Sequence, residues 1–374
     1  MRIVPLRLAT SRARKFIGRR VPQGPIIDQS GHSLDNHRVA VLSFRKKIKA
    51  QLFYAETVDG WKIALYRYLP KDGGIEGQAP VLLCHGLGAN RYNLDAPGRL
   101  SLARWLVGKG FECWVVELRG AGKSTRPTLF NDKKFNWNFD HYVKCDIPAA
   151  LTLIQQTTGK DQVHWIGHSM GGMVAYAYLM THDPAPIRSI VAIASPSFAH
   201  VAHPLIDRLT PLRRILKYLP RIPYAGASAL LVPVMPLFKP TLGRLFANPK
   251  NMRTIDLQCL VAMVPQDLPL SLLGQVLDWY ADKGFVDDYK RLEYFRELGR
   301  IETPALIMSG ACDRLTPPDD LRYVYDQINS SDKKFMLFGK ETGCHHNYGH
   351  IDLVLGKHVH DEVFPHIHRW LAKH

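Results

Sequence analysis

The chain has 374 residues, 46% of them hydrophobic, with a formal net charge of +16 and a pI near 9.6. That length and apolar content support one large α/β domain with an insertion, or two ordinary domains, and exclude an intrinsically disordered chain. The positive charge suits an anionic partner, but its residues are spread along the chain, and no solenoid repeat, zinc finger or RNP-type strand is present, so nucleic acid is not an expected partner.

The one concentration of charge is at the start, where Arg2, Arg7, Arg12, Arg14, Lys15, Arg19 and Arg20 precede the first acidic residue, Asp28. These cations interrupt any secretory h-region, and segment 1–50 reads as a basic leader: an organellar targeting segment, a membrane-surface arm or a solvated tail. Cys84, Cys113, Cys145, Cys259, Cys312 and Cys344 are far apart with no Cys-x-x-Cys pair. Neither a disulfide framework nor a thiolate zinc site is expected, and a reducing, cytoplasmic compartment is. The most apolar stretch, 224–238, is shorter than the roughly 18 residues of a spanning helix and is broken by Pro233 and Pro236, so a soluble or peripheral protein is expected.

Strands are expected over 51–57 and 61–69, turned at Asp59-Gly60 as a hairpin. From Pro80 the pattern changes to short apolar runs alternating with amphipathic stretches, the signature of a mostly parallel sheet with helices on both faces. The runs are 81–84, 113–118, 163–166, 189–194, 305–309 and 334–338, and the intervening helices are expected over 96–109, 142–157, 171–181, 318–329 and 351–372. The alternation breaks over 195–302, where proline-rich apolar pieces mix with helices expected at 270–280 and 288–298. This divides the chain into a leader (1–50), a first core part (51–194), an inserted cap (195–302) and a second core part (303–374). The apolar cap run 225–238 can line an acyl pocket, touch a lipid surface or pack on the cap's own core.

Gly167-His168-Ser169-Met170-Gly171 follows an apolar strand and precedes a helical run, the context that makes Gly-x-Ser-x-Gly a nucleophile turn. Its small flanking residues permit a strained turn that lifts Ser169 above the sheet edge, and the Met170 N–H, at the positive end of the next helix, can face a developing oxyanion. A serine hydroxyl needs a base held by a carboxylate, both expected downstream in the order acid then histidine. Asp313, after the strand at 305–309, fits the acid better than Asp319 or Asp320, which open a helix. His350, at a loop–helix junction, fits the base better than His345 or His346, in a loop without such an anchor. A metal site on His345, His346 and His350 has no supporting carboxylate or thiolate constellation, so no metal is expected. The second oxyanion donor is expected from His85-Gly86-Leu87-Gly88-Ala89-Asn90, with Leu87 N–H as donor and His85 ordering the loop. Gly120-Ala121-Gly122-Lys123-Ser124-Thr125 ends like a phosphate-binding loop, but Glu117 stands where the first glycine belongs, which argues against nucleotide binding.

In these segments the chain resembles the α/β-hydrolase superfamily from about residue 81 onward. Gly167 to Gly172 resembles the nucleophile elbow, with Gly167, His168 and Gly171 around the nucleophile; Glu117-Leu118-Arg119-Gly120 resembles the loop after the second core strand; and His85-Gly86-Leu87-Gly88 resembles the oxyanion loop. The segment from Tyr348 to Gly356 is similar to the histidine motif of acid-lipase-type enzymes and of polyhydroxyalkanoate synthases. Those synthases carry a cysteine nucleophile, so Ser169 implies hydrolysis rather than polymerisation. The resemblance implies an α/β-hydrolase fold and a lipase- or esterase-like carboxylic ester hydrolase with a Ser169–His350–Asp313 triad. It needs no cofactor and takes a small, hydrophobic acyl substrate, with peripheral membrane contact through the leader or cap. Acyl transfer on the same triad and a non-catalytic scaffold that binds a hydrophobic ligand are the alternatives.

Overall fold

Short runs with little polar interruption become central strands because each is covered by helices on both faces and needs no solvent-facing residue. The computed structural model describes residues 49–71, 73–199, 220–233, 245–282 and 284–374. The basic leader up to residue 48 and residues 234–238 of the apolar cap run lie outside the described residues.

Eight strands form one sheet: β1 (Gln51–Glu56), β2 (Lys62–Tyr68), β3 (Val81–Cys84), β4 (Cys113–Glu117), β5 (Val163–His168), β6 (Ile187–Ile193), β7 (Ala305–Gly310) and β8 (Lys333–Phe338). Their spatial order is β1-β2-β4-β3-β5-β6-β7-β8, with β2 antiparallel to both neighbours and every later pairing parallel. The Asp59-Gly60 turn forms as expected, with Gly60 at φ 76° and the Thr57 hydroxyl accepting the Trp61 N–H. The chain leaves β3 for β4 on one side and then crosses to β5 on the other. Strand order therefore reverses at β3, and a crevice opens at its carboxyl end, where ligands of such sheets bind.

Among the described residues the α-helices of four or more residues are α1 (Leu102–Val107), α2 (Ile147–Thr158), α3 (Met170–Thr181), α4 (Tyr224–Leu231), α5 (Thr254–Met263), α6 (Leu270–Asp282), α7 (Pro318–Gln327), α8 (Asp352–Leu355), α9 (Val359–Glu362) and α10 (Phe364–Lys373). Four departures from the sequence expectation have local causes. The helix expected over 96–109 starts only at Leu102, where Ser101 caps it by accepting the Arg104 N–H. The one expected over 142–157 opens with a wide π turn, Tyr142–Asp146, before Pro148 in the first turn of α2. No α-helix forms over 288–298: the Asp287 carboxylate accepts the N–H groups of Arg291 and Leu292, Lys290 is left-handed at φ 53°, and the Tyr294 hydroxyl reaches across to Asp140. The helix expected over 351–372 is cut into α8, α9 and α10, with Gly356 ending α8 and Pro365 in the first turn of α10.

Between β6 and β7 the segment that carries α4, α5 and α6 is tied at its base by a two-residue ladder, Arg221–Ile222 with Leu268–Pro269. It is stitched to the sheet's carboxyl edge by three bonds: Asn90 Nδ2 to the Met263 carbonyl (2.7 Å), Gln266 N–H to the Gly88 carbonyl (2.8 Å) and Gly122 N–H to the Gln266 side chain (3.0 Å). Its Trp279, Phe285 and Tyr294 pack edge-on or tilted around Phe139 of the β4–β5 connection, with centroids 4.7–6.2 Å apart.

The loop after β4 is anchored by Arg119, whose buried guanidinium bridges Asp146 at 2.7 Å and Asp59 at 2.6 Å. Asp146 is fully buried, so Arg119→Met leaves an uncompensated buried carboxylate and is expected to cost about 3–5 kcal/mol of unfolding free energy, measured by urea denaturation. Asp59→Ala, at the exposed end of the network, should cost well under half of that.

Candidate active site

Ser169 joins β5 to α3 at φ 54°, ψ −121°, a conformation that a residue with a Cβ adopts only when its surroundings impose it. Those surroundings are close-packed backbone. A Cβ on Gly167 would collide with the Gly172 amide, and one on Gly171 with the Cys84 carbonyl, so α3 can approach β3 and β5 only with glycine at both places. The Ser169 N–H is held by the Ile193 carbonyl at 2.8 Å. The Met170 N–H, the first of the helix, has no acceptor among the described residues, as expected of a helix's opening amides.

Asp313 follows β7 and His350 precedes α8; the topology places both at the same sheet edge. His350 Nδ1 donates to Asp313 Oδ2 at 2.8 Å, which fixes the tautomer and leaves Nε2 without a partner among the described residues. The Asp313 carboxylate also accepts the Thr316 hydroxyl (2.6 Å) and the N–H groups of Leu315 and Thr316 (2.9 Å each). Burial pushes the Asp313 carboxyl up, but the His350 imidazole and the Thr316 bonds outweigh it and hold it below its ordinary value.

The loop after β3 faces this pair. His85 Nε2 accepts the Leu118 N–H at 3.2 Å, so its Nδ1 carries the proton and donates to the Gly86 carbonyl at 2.9 Å. Burial pushes His85 down to about 4, which keeps it neutral near pH 7. The Gly86 carbonyl shares a peptide plane with the Leu87 N–H, so pinning one aims the other. Leu87 N–H has no acceptor among the described residues. Gly86 lies so near Ser169 that a Cβ there would stand 3.2 Å from the serine Cβ.

His168 is fully buried between Asn93 Oδ1 (3.0 Å) and the His350 carbonyl (3.1 Å), and burial pushes it down to about 3. Asn93 Oδ1 also accepts the Gly86 N–H at 3.0 Å, so one amide side chain links the loop after β3 to the end of β5. Sequence reasoning missed Asn93 and Thr316, which carry no motif and act only through contacts made by the fold.

Ser169, Leu87, Met170 and His350 line one cavity of about 440 Å³, whose far wall is apolar. Its lining includes Leu257, Leu260 and Val264 of or next to α5 and Leu273, Val276 and Tyr280 of α6. Within the run 225–238, none of the described residues lines it, and Leu230 there is exposed. The other sequence candidates lie elsewhere. His345 pairs with Glu362 and stacks on His358, His346 tilts against His358, and Asp320 accepts the backbone N–H groups of Ser197 and Phe198. No cluster with metal-holding geometry occurs among the described residues. The amides of the 120–125 run are already taken, the Lys123 N–H by the Glu117 carboxylate at 2.6 Å, the Gly122 N–H by the Gln266 side chain and the others by backbone carbonyls, which leaves no anion cradle.

A family model described as the alpha/beta hydrolase fold matches residues 79–345. The chain belongs to the α/β-hydrolase fold family. Among curated relatives, human lipase member K is 24% identical over 344 residues, covering 82% of this chain and 84% of that one. Human gastric triacylglycerol lipase is 31% identical over 163 residues, 41% of each chain. Among solved structures, an esterase from Thermogutta terrifontis (TM-score 0.60, 18% identity, 87% of this chain and 99% of that one) shares the fold. So does a soluble variant of monoglyceride lipase from Saccharomyces cerevisiae (TM-score 0.60, 18% identity, 88% and 96%).

In this α/β-hydrolase the histidine loop has a second anchor. Asp352, buried on α8, accepts the N–H groups of Gly349 (2.9 Å) and Asn248 (3.0 Å) and the Asn251 amide (2.9 Å). It thereby fixes the residue before His350 to the chain that leads into α5. Burial pushes its carboxyl up to about 6 despite these donors, so ionising it in the folded protein costs on the order of 3 kcal/mol more than in the unfolded chain. With the folded pKa above the unfolded one, this group's contribution to stability is full below about pH 3.9 and falls as pH rises through about 6. Asp352→Asn should remove that fall: relative to wild type, the variant gains about 2–3 kcal/mol between pH 4 and pH 7 in urea unfolding. A constant difference between the two curves would mean that Asp352 titrates as an exposed carboxyl does.

Proposed function

We propose that this α/β-hydrolase cleaves carboxylic esters of hydrophobic acyl groups through an acyl-enzyme on Ser169, with His350 as base and Asp313 as its orienting carboxylate. The observation that carries the reading is the Asp313–His350 hydrogen bond in the same apolar cavity as a serine held on a strained strand-to-helix turn. The lipase and esterase names of the relatives agree with it.

His350 Nε2 takes the Ser169 proton as Oγ attacks the acyl carbon, and Asp313 stabilises the imidazolium that forms. The carbonyl oxygen becomes an oxyanion between the Leu87 and Met170 N–H groups; each such donor is worth roughly 3–4 kcal/mol of barrier. His350 then protonates the departing alkoxide, which leaves as alcohol. Water, deprotonated by the same imidazole, attacks the Ser169 ester, and the imidazolium returns the proton to Ser169 Oγ as the acid leaves. The apolar wall from α5 and α6 takes the acyl chain and keeps water from the ion pair, where its screening would weaken the electrostatic gain.

Fluorophosphonate labelling with peptide mapping, beside p-nitrophenyl esters of short and long acyl chains, tests the assignment. The label should map to Ser169, and Ser169→Ala should lose label and lower kcat by at least about a thousand-fold without changing the melting temperature. Asp313→Asn should keep the fold and lower kcat by about 10⁴, because the wrong histidine tautomer is then favoured. Folded wild-type protein that takes no label would point to a binding scaffold.

A further inference from the structure

Two loops at the carboxyl edge of the sheet carry an exposed apolar tip that the reaction above does not use. Leu129 and Phe130 are each 98% exposed and Val58, in the β1–β2 turn, 91%. A lone exposed aliphatic residue is ordinary, but fully exposed neighbouring Leu and Phe at a loop tip are not. The tip is a built turn. Asn131 Oδ1 accepts the N–H groups of Thr128 and Lys133 (3.2 Å each), its amide donates to the Arg126 carbonyl (3.0 Å), and the Thr128 hydroxyl accepts the Phe130 N–H (3.2 Å). These bonds hold the backbone while both side chains stand in solvent.

Cations surround the tip. Lys62, Lys123, Arg126 and Lys134 are exposed, with no acidic partner among the described residues. Thr125 is bonded through N–H and hydroxyl to Lys62, and Lys133 Nζ lies 3.5 Å from the Asp59 carbonyl, which draws the loop and the hairpin turn together. Between them is a recess of about 240 Å³ lined by Lys133, Lys134, Asn136 and His141. Of the acids there, Asp59 shares the Arg119 guanidinium with the buried Asp146 and Asp132 lies 3.8 Å from Lys133, so the positive surplus is carried by Lys62, Lys123, Arg126 and Lys134.

The patch also lies on the side of the active site. β2 runs antiparallel to β4 with Ala64 opposite Glu117, which puts the hairpin turn at the carboxyl end of β4. The loop touches the insertion over Ser169, with Arg221 4.9 Å over the Phe135 ring and Gly122 bonded to Gln266.

We propose that the 126–134 loop and the Val58 turn dock this protein on an anionic lipid surface, Leu129 and Phe130 entering the acyl boundary while Lys133, Lys134, Arg126 and Lys62 meet the headgroups. An apolar tip ringed by cations is the pairing that such a surface selects: apolar burial supplies salt-resistant attachment, and each cation adds roughly five-fold to partitioning. The inference holds whatever reaction Ser169 performs.

The test is co-sedimentation of the full chain with vesicles of phosphatidylcholine alone or mixed with phosphatidylglycerol, at 0.1 M and 0.5 M NaCl. Wild type should partition to the anionic vesicles and retain part of that binding at high salt. Leu129→Ser with Phe130→Ser should lower partitioning at least about ten-fold, abolish the salt-resistant part and leave the melting temperature unchanged. Lys133→Ala with Lys134→Ala should weaken binding to the anionic vesicles only. Three results would overturn the proposal: no vesicle binding by wild type, equal binding by the serine double variant, which assigns the contact to another segment, or equal binding of wild type to neutral and anionic vesicles.

Discussion

The start of α3 packs so closely on β3 and β5 that the chain at Ser169 has one conformation open to it. Backbone meets backbone at Gly167 and Gly171, and a Cβ on Gly172 would strike the Ser195 hydroxyl, so no side chain cushions the contact. The serine is left at positive φ, a strain of about 1–3 kcal/mol. What opposes relaxation is the burial of α3, whose residues from Met170 to Met180 are all inside. Each large apolar side chain among them contributes about 1.5–3 kcal/mol, so burial exceeds strain several-fold and the turn persists. The other site groups are arranged around this fixed point.

The arrangement is a set of clamps between loops. His85 and Asn93 hold the loop after β3, Asn93 and His168 connect it to β5, and His168 reaches the His350 carbonyl. Asp352 continues the chain from the His350 loop to Asn248 and Asn251. On the opposite rim, Gln266 and Asn90 fasten the insertion to the loop that carries Leu87. Both sides of the cavity are therefore bonded to the segment that roofs it, and a shift of that segment is felt by the loop after β3 and by the histidine loop together.

The strands were legible because their signal is local and one-dimensional: short apolar runs closed by Gly, Pro or Asp. The Gly-x-Ser-x-Gly run was legible for the same reason, since strand, turn and helix follow one another within a few residues. Helix continuity was not. Over 288–298 an apolar periodicity was present, but the Asp287 carboxylate captured two amides and Tyr294 was drawn to Asp140, a partner far away in sequence. The same holds for Asn93, Thr316 and Asp352, whose places in the site depend on partners that only the fold supplies. Apolarity alone left 225–238 open between an acyl pocket, a lipid surface and packing within the cap; none of its described residues lines the cavity, whose wall comes from α5 and α6, because several segments of similar apolarity compete for one face and tertiary packing decides among them.

Charge follows from the same need for loop acceptors. Among the described residues the buried charged groups are Asp95, Glu117, Asp140, Asp146, Asp287, Asp313, Asp320 and Asp352, with Arg119 as the one buried cation. Carboxylates go inside because each can accept several backbone N–H groups from the irregular turns at the carboxyl edge, as Asp313, Asp320 and Asp352 do. Lysine and arginine offer donors only and cannot serve those amides. Removing acids from the surface makes it more basic than the chain's total of +16. A basic exterior is thus partly a by-product of how the site is braced, and local clusters of cations carry meaning only where, as around Leu129 and Phe130, an independent feature of the surface coincides with them.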